Sequence, residues 1–166
     1  MRNNIFILIT IVIFSSGCVE QGHLKVNTVV QHINSQPDGL HPYNDNSAVR
    51  SFIFEYTQKS LIRLDLRSLQ MIPGLVDSLA RISKDGLKYH YRLKDNITWD
   101  DGTQLTAEDV KFSIKLMLCP LTDNSQIRSI YSTVIESIET YPEDPLKFTM
   151  HAKTLHVNNK TILGGI

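Results

Sequence analysis

The chain has 166 residues, 42% of them apolar, and seventeen basic side chains balance seventeen acidic ones. That length accommodates one modest domain. The balance offers no basic field for nucleic acid, and the ordinary apolar content does not fit a disordered chain.

The first residues have the order of a secretory signal. Met1, Arg2, Asn3 and Asn4 make a short polar, positive start, and residues 5–14 are apolar apart from Thr10. Ser15, Ser16 and Gly17 then lead into Cys18. A helix rises ~1.5 Å per residue, so a run of about ten residues crosses only half of a ~30 Å hydrocarbon core. It reads as a signal core and not as a membrane span. Small residues directly before a cysteine resemble a bacterial lipoprotein box, although Ser15 stands where leucine is usual. The resemblance implies removal of residues 1–17, a diacylglyceryl thioether on Cys18, acylation of the new amine by a chain such as palmitate, and a tether over residues 18–24. Several acyl chains, each methylene contributing ~0.8 kcal/mol, would hold such a protein on a membrane.

Beyond the tether, residues 25–33 are rich in valine and read as a buried strand. Gln36-Pro37-Asp38-Gly39 reads as a turn in which glycine can take a positive φ, and Leu40-His41-Pro42-Tyr43 continues as an extended loop. A helix is expected over residues 47–59, capped by Asn46, with Val49, Phe52, Ile53 and Tyr56 on a core-facing side. Residues 61–64 form a short strand, and Pro73-Gly74-Leu75 breaks the chain.

The clearest local pattern is a hairpin. Residues 78–83 enter Lys84-Asp85-Gly86, and residues 87–93 return. Leu87, Tyr89, Tyr91 and Leu93 alternate with Lys88, His90 and Arg92, as in a half-buried strand. A second turn, Asp101-Gly102, follows Trp99, which is expected to pack beneath it. A helix starts at Thr106, with Glu108 and Asp109 at its positive end, and its buried face carries Ala107, Val110, Ile114, Met117 and Leu118. Adjacent helix residues point about 100° apart, so Glu108 and Asp109 read as helix-start acids and not as a catalytic pair. Pro120 ends this helix. Residues 134–140 and 146–152 make another hairpin, with Leu146, Phe148, Met150 and Ala152 alternating with Lys147, Thr149 and His151.

No chemistry-bearing constellation emerges. There is no CxxC, HExxH, GxSxG or phosphate loop, and the six histidines are scattered. No metal, cofactor or catalytic residue is expected. With Cys18 lipidated, Cys119 has no partner within the chain and reads as a buried small residue near a helix end, with a disulfide to a residue outside the chain as the alternative. Asn96-Ile97-Thr98 and Asn159-Lys160-Thr161 fit the glycan acceptor pattern, which matters only in a eukaryotic secretory pathway.

Several blocks, in order, carry a resemblance: Leu40-His41-Pro42, Leu64-Asp65, Pro73-Gly74-Leu75-Val76, Lys84-Asp85-Gly86-Leu87-Lys88-Tyr89, Trp99-Asp100-Asp101-Gly102-Thr103 and Leu105-Thr106-Ala107-Glu108-Asp109-Val110. Together they resemble the family 5 extracellular solute-binding proteins, the dipeptide- and oligopeptide-binding components of bacterial ABC transporters. Val76 replaces a usual alanine and Leu79 a frequent tryptophan. The resemblance spans residues 26–152.

It implies an α/β (mixed α+β) fold, part of a type II periplasmic-binding-protein lobe with mixed sheet and hairpins. Residues 25–166 would be the N-terminal part of a solute-binding domain whose second lobe is absent, as in a fragment or truncated reading frame. Most of the chain after the helix near Ser47 would belong to an extra domain beside the first lobe. The implied function is non-catalytic capture of a peptide or other small solute for an ABC permease and its ATPase. The protein would sit on the periplasmic or outer face of the cell envelope, lipid-anchored to a membrane. Pro37, Asp38, Gly39, Leu40, His41 and Pro42 are the candidate solute contacts, through backbone groups that suit an extended ligand. The same loop read without a ligand merely turns the chain. The alternative function is a truncated structural or assembly lipoprotein of the envelope that captures nothing.

Overall fold

The computed structural model of the protein describes residues 28, 30–37, 39–43 and 47–166. Two compact units divide the chain at residues 34 and 35. In the first, residues 28 and 30–33 are exposed and belong to no strand. The buried strand expected over residues 25–33 is therefore not formed in its described part. A strand needs a neighbouring ladder for its backbone groups, and neither sheet among the described residues includes these. Cys18 and the rest of residues 1–27 lie outside the described residues.

The second unit runs α1 (Ala48–Thr57), β1 (Ile62–Asp65), β2 (Gln70–Pro73), β3 (Arg81–Ile82), β4 (Lys88–Arg92), α2 (Ala107–Met117), α3 (Ser125–Val134), β5 (Ile135–Tyr141), β6 (Asp144–Ala152) and α4 (Asn159–Gly164). Strands β1 and β2 pair alone, and the other four form an antiparallel sheet in the order β3-β4-β6-β5. Helix α2 packs on β5 and β6, while α4 meets α3 and β1.

Both expected hairpins form. Arg81 faces His90 and Ile82 faces Tyr89 across the first, and its turn places Gly86 at φ 73°. That left-handed value disfavours a side chain. The second hairpin is tighter than the run Tyr141-Pro142-Glu143-Asp144-Pro145 suggests, because Tyr141 already pairs with Asp144. Alternation puts Tyr89, Tyr91 and Leu93 of the β4 segment on the core, together with Leu146, Phe148, Met150 and Ala152 of β6. Tyr91 and Phe148 are direct cross-strand partners and stack with centroids 5.3 Å apart. The opposite face is less open than its polar residues suggest. Thr149 is buried there, its hydroxyl 2.8 Å from both His90 Nδ1 and the Tyr141 hydroxyl.

Helix α2 begins as expected. The Asp109 carboxylate accepts from the Thr106 backbone N–H and hydroxyl, each at 2.8 Å. Glu108 instead binds Lys111 and Thr140, so the adjacent acids serve different neighbours. Ala107, Val110, Ile114 and Met117 are buried. Trp99 departs from expectation. It is 50% exposed, although its backbone closes the turn with Gly102 and Thr103. Leu105, whose N–H bonds Ile97, takes the buried place beside that turn.

Helix α1 also differs. Ser47 caps it by accepting from the Arg50 N–H, and Asn46 lies outside the described residues. No α1 residue belongs to the core, and Tyr56 of the expected core face is 62% exposed. An apolar stripe buries itself only where a second layer covers it, and the core cluster of this unit draws on the large sheet, α2, β1 and α4 but on no residue of α1. Cys119 is free and partly exposed, so it is not the buried residue expected. Asn159 is 1% exposed, with its amide on the Thr154 carbonyl at 2.7 Å, which removes it as a surface acceptor. Gly74 is fixed by steric need, since a Cβ there would sit 2.3 Å from the Ser60 carbonyl oxygen.

The stacked pair gives a paired test. Phe148→Ala is expected to destabilise by about 3–5 kcal/mol, the usual cost of truncating a buried phenylalanine. Tyr91→Phe, which removes a buried hydroxyl without a partner, is expected to be neutral or mildly stabilising. Denaturant unfolding of both variants checks the contrast.

Candidate functional site

The loop before α1 is assembled from weakly structured residues that its neighbours hold at one end. Pro37 and Gly39 are half-buried, Leu40 and His41 are exposed, and Pro42 is half-buried again. Asp38 lies outside the described residues. Among the described residues, a Cβ built on Gly39 meets nothing within 4 Å.

The C-terminal end of the loop is fixed by three bonds. The Pro42 carbonyl accepts from the Arg50 guanidinium. The Tyr43 carbonyl accepts from the Asn124 N–H at 3.0 Å. The Tyr43 N–H donates to His41 Nδ1 at 3.1 Å. That last bond sets the His41 tautomer, because a backbone N–H only donates. Nδ1 is the acceptor, so the neutral ring carries its proton on Nε2. The rings of His41 and Tyr43 meet edge to face at 6.4 Å.

Tyr43 packs against the core. Burial raises its phenol pKa, Tyr131 adds to the rise, and the Arg50 charge opposes it. Those influences place Tyr43 near both α1 and α3. Asn124 does two tasks, since its side chain also caps α3 by accepting from the Ile127 N–H at 3.0 Å.

Backbone accounting then separates the loop into used and open groups. Pro37 and Pro42 have no N–H, and the Pro42 and Tyr43 carbonyls are engaged. The backbone groups of Gly39, Leu40 and His41 make no bond to other described residues. They form a short open edge of donors and acceptors, bordered by the exposed Leu40 side chain and His41 Nε2–H.

Of the six loop residues expected to contact solute, five are described, Pro37 and residues 39–42, and they precede α1. Sequence reading did not identify Arg50 or Asn124 as its supports. Arg50 interrupts the apolar row of α1, which is a readable oddity. Asn124 bonds through its backbone N–H, which no sequence pattern reveals. Among the described residues, no group of three histidines, cysteines or acids is placed to hold a metal ion.

Comparison with known proteins bears on the same stretch. Residues 70–163 match the model for bacterial extracellular solute-binding proteins, family 5 Middle. The oligopeptide-binding protein OppA of Bacillus subtilis is 26% identical over 100 residues, 60% of this chain and 18% of that protein. A dipeptide-binding protein of Lactococcus lactis is 49% identical over 41 residues, 25% of this chain and 8% of that protein. A crystal structure of a periplasmic oligopeptide-binding protein, OppAIV, from Borrelia burgdorferi superposes with a TM-score of 0.65 at 25% identity. That match covers 80% of this chain and 29% of the other. The chain therefore spans less than a third of the length of these relatives. The mixed helix-and-sheet architecture, the matching blocks and the superposition agree: this chain belongs to the bacterial extracellular solute-binding proteins, family 5.

Proposed function

We propose that this chain is the N-terminal part of a solute-capturing lipoprotein of an ABC importer, and that its solutes are peptides. The capture is non-catalytic: solute is held and handed to a permease driven by an ATPase. The observation that carries the reading is the open backbone edge of residues 39–41 in a chain of this family. Main-chain groups recognise an extended peptide without regard to its side chains, which suits a capture protein. The two peptide-binding relatives and the peptide-binding structure support peptides, while a structure at 29% identity holds Ni(L-His), a small metal chelate.

Cys18 is the proposed anchor. Its lipid would hold the protein at the outer face of a membrane, within reach of the permease. The Cys18→Ser variant, expressed in its own cell, is expected to move from the membrane fraction to the soluble fraction. Wild-type protein that is already soluble and unacylated by mass spectrometry would refute the anchor.

The solute reading is tested by thermal shift of the protein expressed from its own gene, with a panel of short peptides. A peptide at a hundred times its dissociation constant adds ~2.7 kcal/mol, well within measurement. No shift with any peptide would count against peptide capture and favour the structural or assembly alternative. Gly39→Val is the local probe. None of the described residues lies within 4 Å of a Cβ there, so stability should stay within about 0.5 kcal/mol. Peptide affinity should fall about tenfold, or 1.4 kcal/mol, if a ligand backbone approaches that edge.

A further inference from the structure

Arg50 is a poor device for stability. It is 6% exposed on a helix that contributes nothing to the core. Among the described residues no carboxylate lies within salt-bridge distance, and its Nε–H has no partner. Its guanidinium donates to the Pro42 carbonyl and lies over the Phe54 ring, whose centroid is 5.2 Å from Cζ. A buried guanidinium cannot shed its charge, and replacing such a group with an apolar one is often neutral or stabilising. What the residue does accomplish is geometric. It fixes the carbonyl that immediately follows the open edge of residues 39–41. Asn124 fixes the next carbonyl, and His41 takes the intervening N–H.

We infer that Arg50 is a positioning residue for solute capture: it never touches the solute, but holds the loop of Gly39, Leu40 and His41 in its binding conformation through the Pro42 carbonyl. The inference rests on the peptide-capture reading above for its binding consequence, though not for its conformational one. A loop already ordered before binding loses less freedom on association, so the pin acts through preorganisation. His41 depends on the same pin. Its Nδ1 contact with Tyr43 spans the pinned peptide unit, and the direction of Nε2–H follows.

The test compares Arg50→Met and Arg50→Lys in the protein expressed from its own gene. The readouts are peptide affinity by calorimetry, melting temperature without peptide, and hydrogen exchange of residues 39–43. Arg50→Met is expected to keep or raise the melting temperature of the free protein, to speed exchange across the loop, and to weaken peptide affinity about tenfold. Arg50→Lys, which retains a donor for the Pro42 carbonyl, is expected to recover most of both losses. Should Arg50→Met fail to fold, the premise that Arg50 adds little to stability fails with it and the inference is overturned. Unchanged loop exchange in a folded Arg50→Met protein overturns the inference. So does a lower melting temperature with normal peptide affinity, which is the signature of a purely structural arginine. If wild-type protein binds no peptide, the capture reading fails, while the exchange experiment still decides whether Arg50 pins the loop.

Discussion

The antiparallel ladder between β4 and β6 is the contact on which the larger unit depends. It joins residues separated by more than fifty positions, pairing Tyr91 with Phe148 and Tyr89 with Met150. Both flanking hairpins extend outward from it, β3 beside β4 and β5 beside β6. Helix α2 then packs on β6 and on its neighbour β5. Each hairpin alone would expose its apolar face. Joined, they bury Phe148 and Met150 completely, and burial of that kind is what makes isolated hairpins stable.

The candidate site stands in a different relation to stability. Its loop is not part of the ladder and contributes mainly Tyr43 to the packed interior. Three polar contacts define its end: one from the side chain of α1, one from the backbone before α3, and one within the loop. The open edge is therefore supported by the nearby α1, by the remote Asn124 and by the His41 ring, while the backbone groups of residues 39–41 stay unspent. A binding loop carried on a rigid scaffold is a common arrangement, because backbone groups used in folding are not available to a ligand.

Local patterns were readable where one interaction dominated. The alternation of residues 87–93 and 146–152 identified both central strands, since a two-residue period meets only one buried face. Asp85-Gly86 marked its turn because φ near 73° suits glycine. Thr106 and Asp109 marked the start of α2. Other elements were not readable. Helix α3 is rich in serine, threonine and β-branched residues, which favour helix weakly, and it forms where Asn124 and neighbouring helices support it. Trp99 looked like core because it is large and apolar, yet Leu105 occupies the interior beside it. The apolar row of α1 had the correct period but lacks a covering layer among the described residues.

The sequence by itself determined the two hairpins, the start of α2, the family blocks and the position of the loop, because each follows from neighbours within a few residues. Only the tertiary structure decided which strands pair, that Thr149 is buried, and that Arg50 and Asn124 hold the loop. Those outcomes depend on groups brought together from distant parts of the chain. A carbonyl or an N–H has the same identity at every residue, so the sequence does not say which of them will meet.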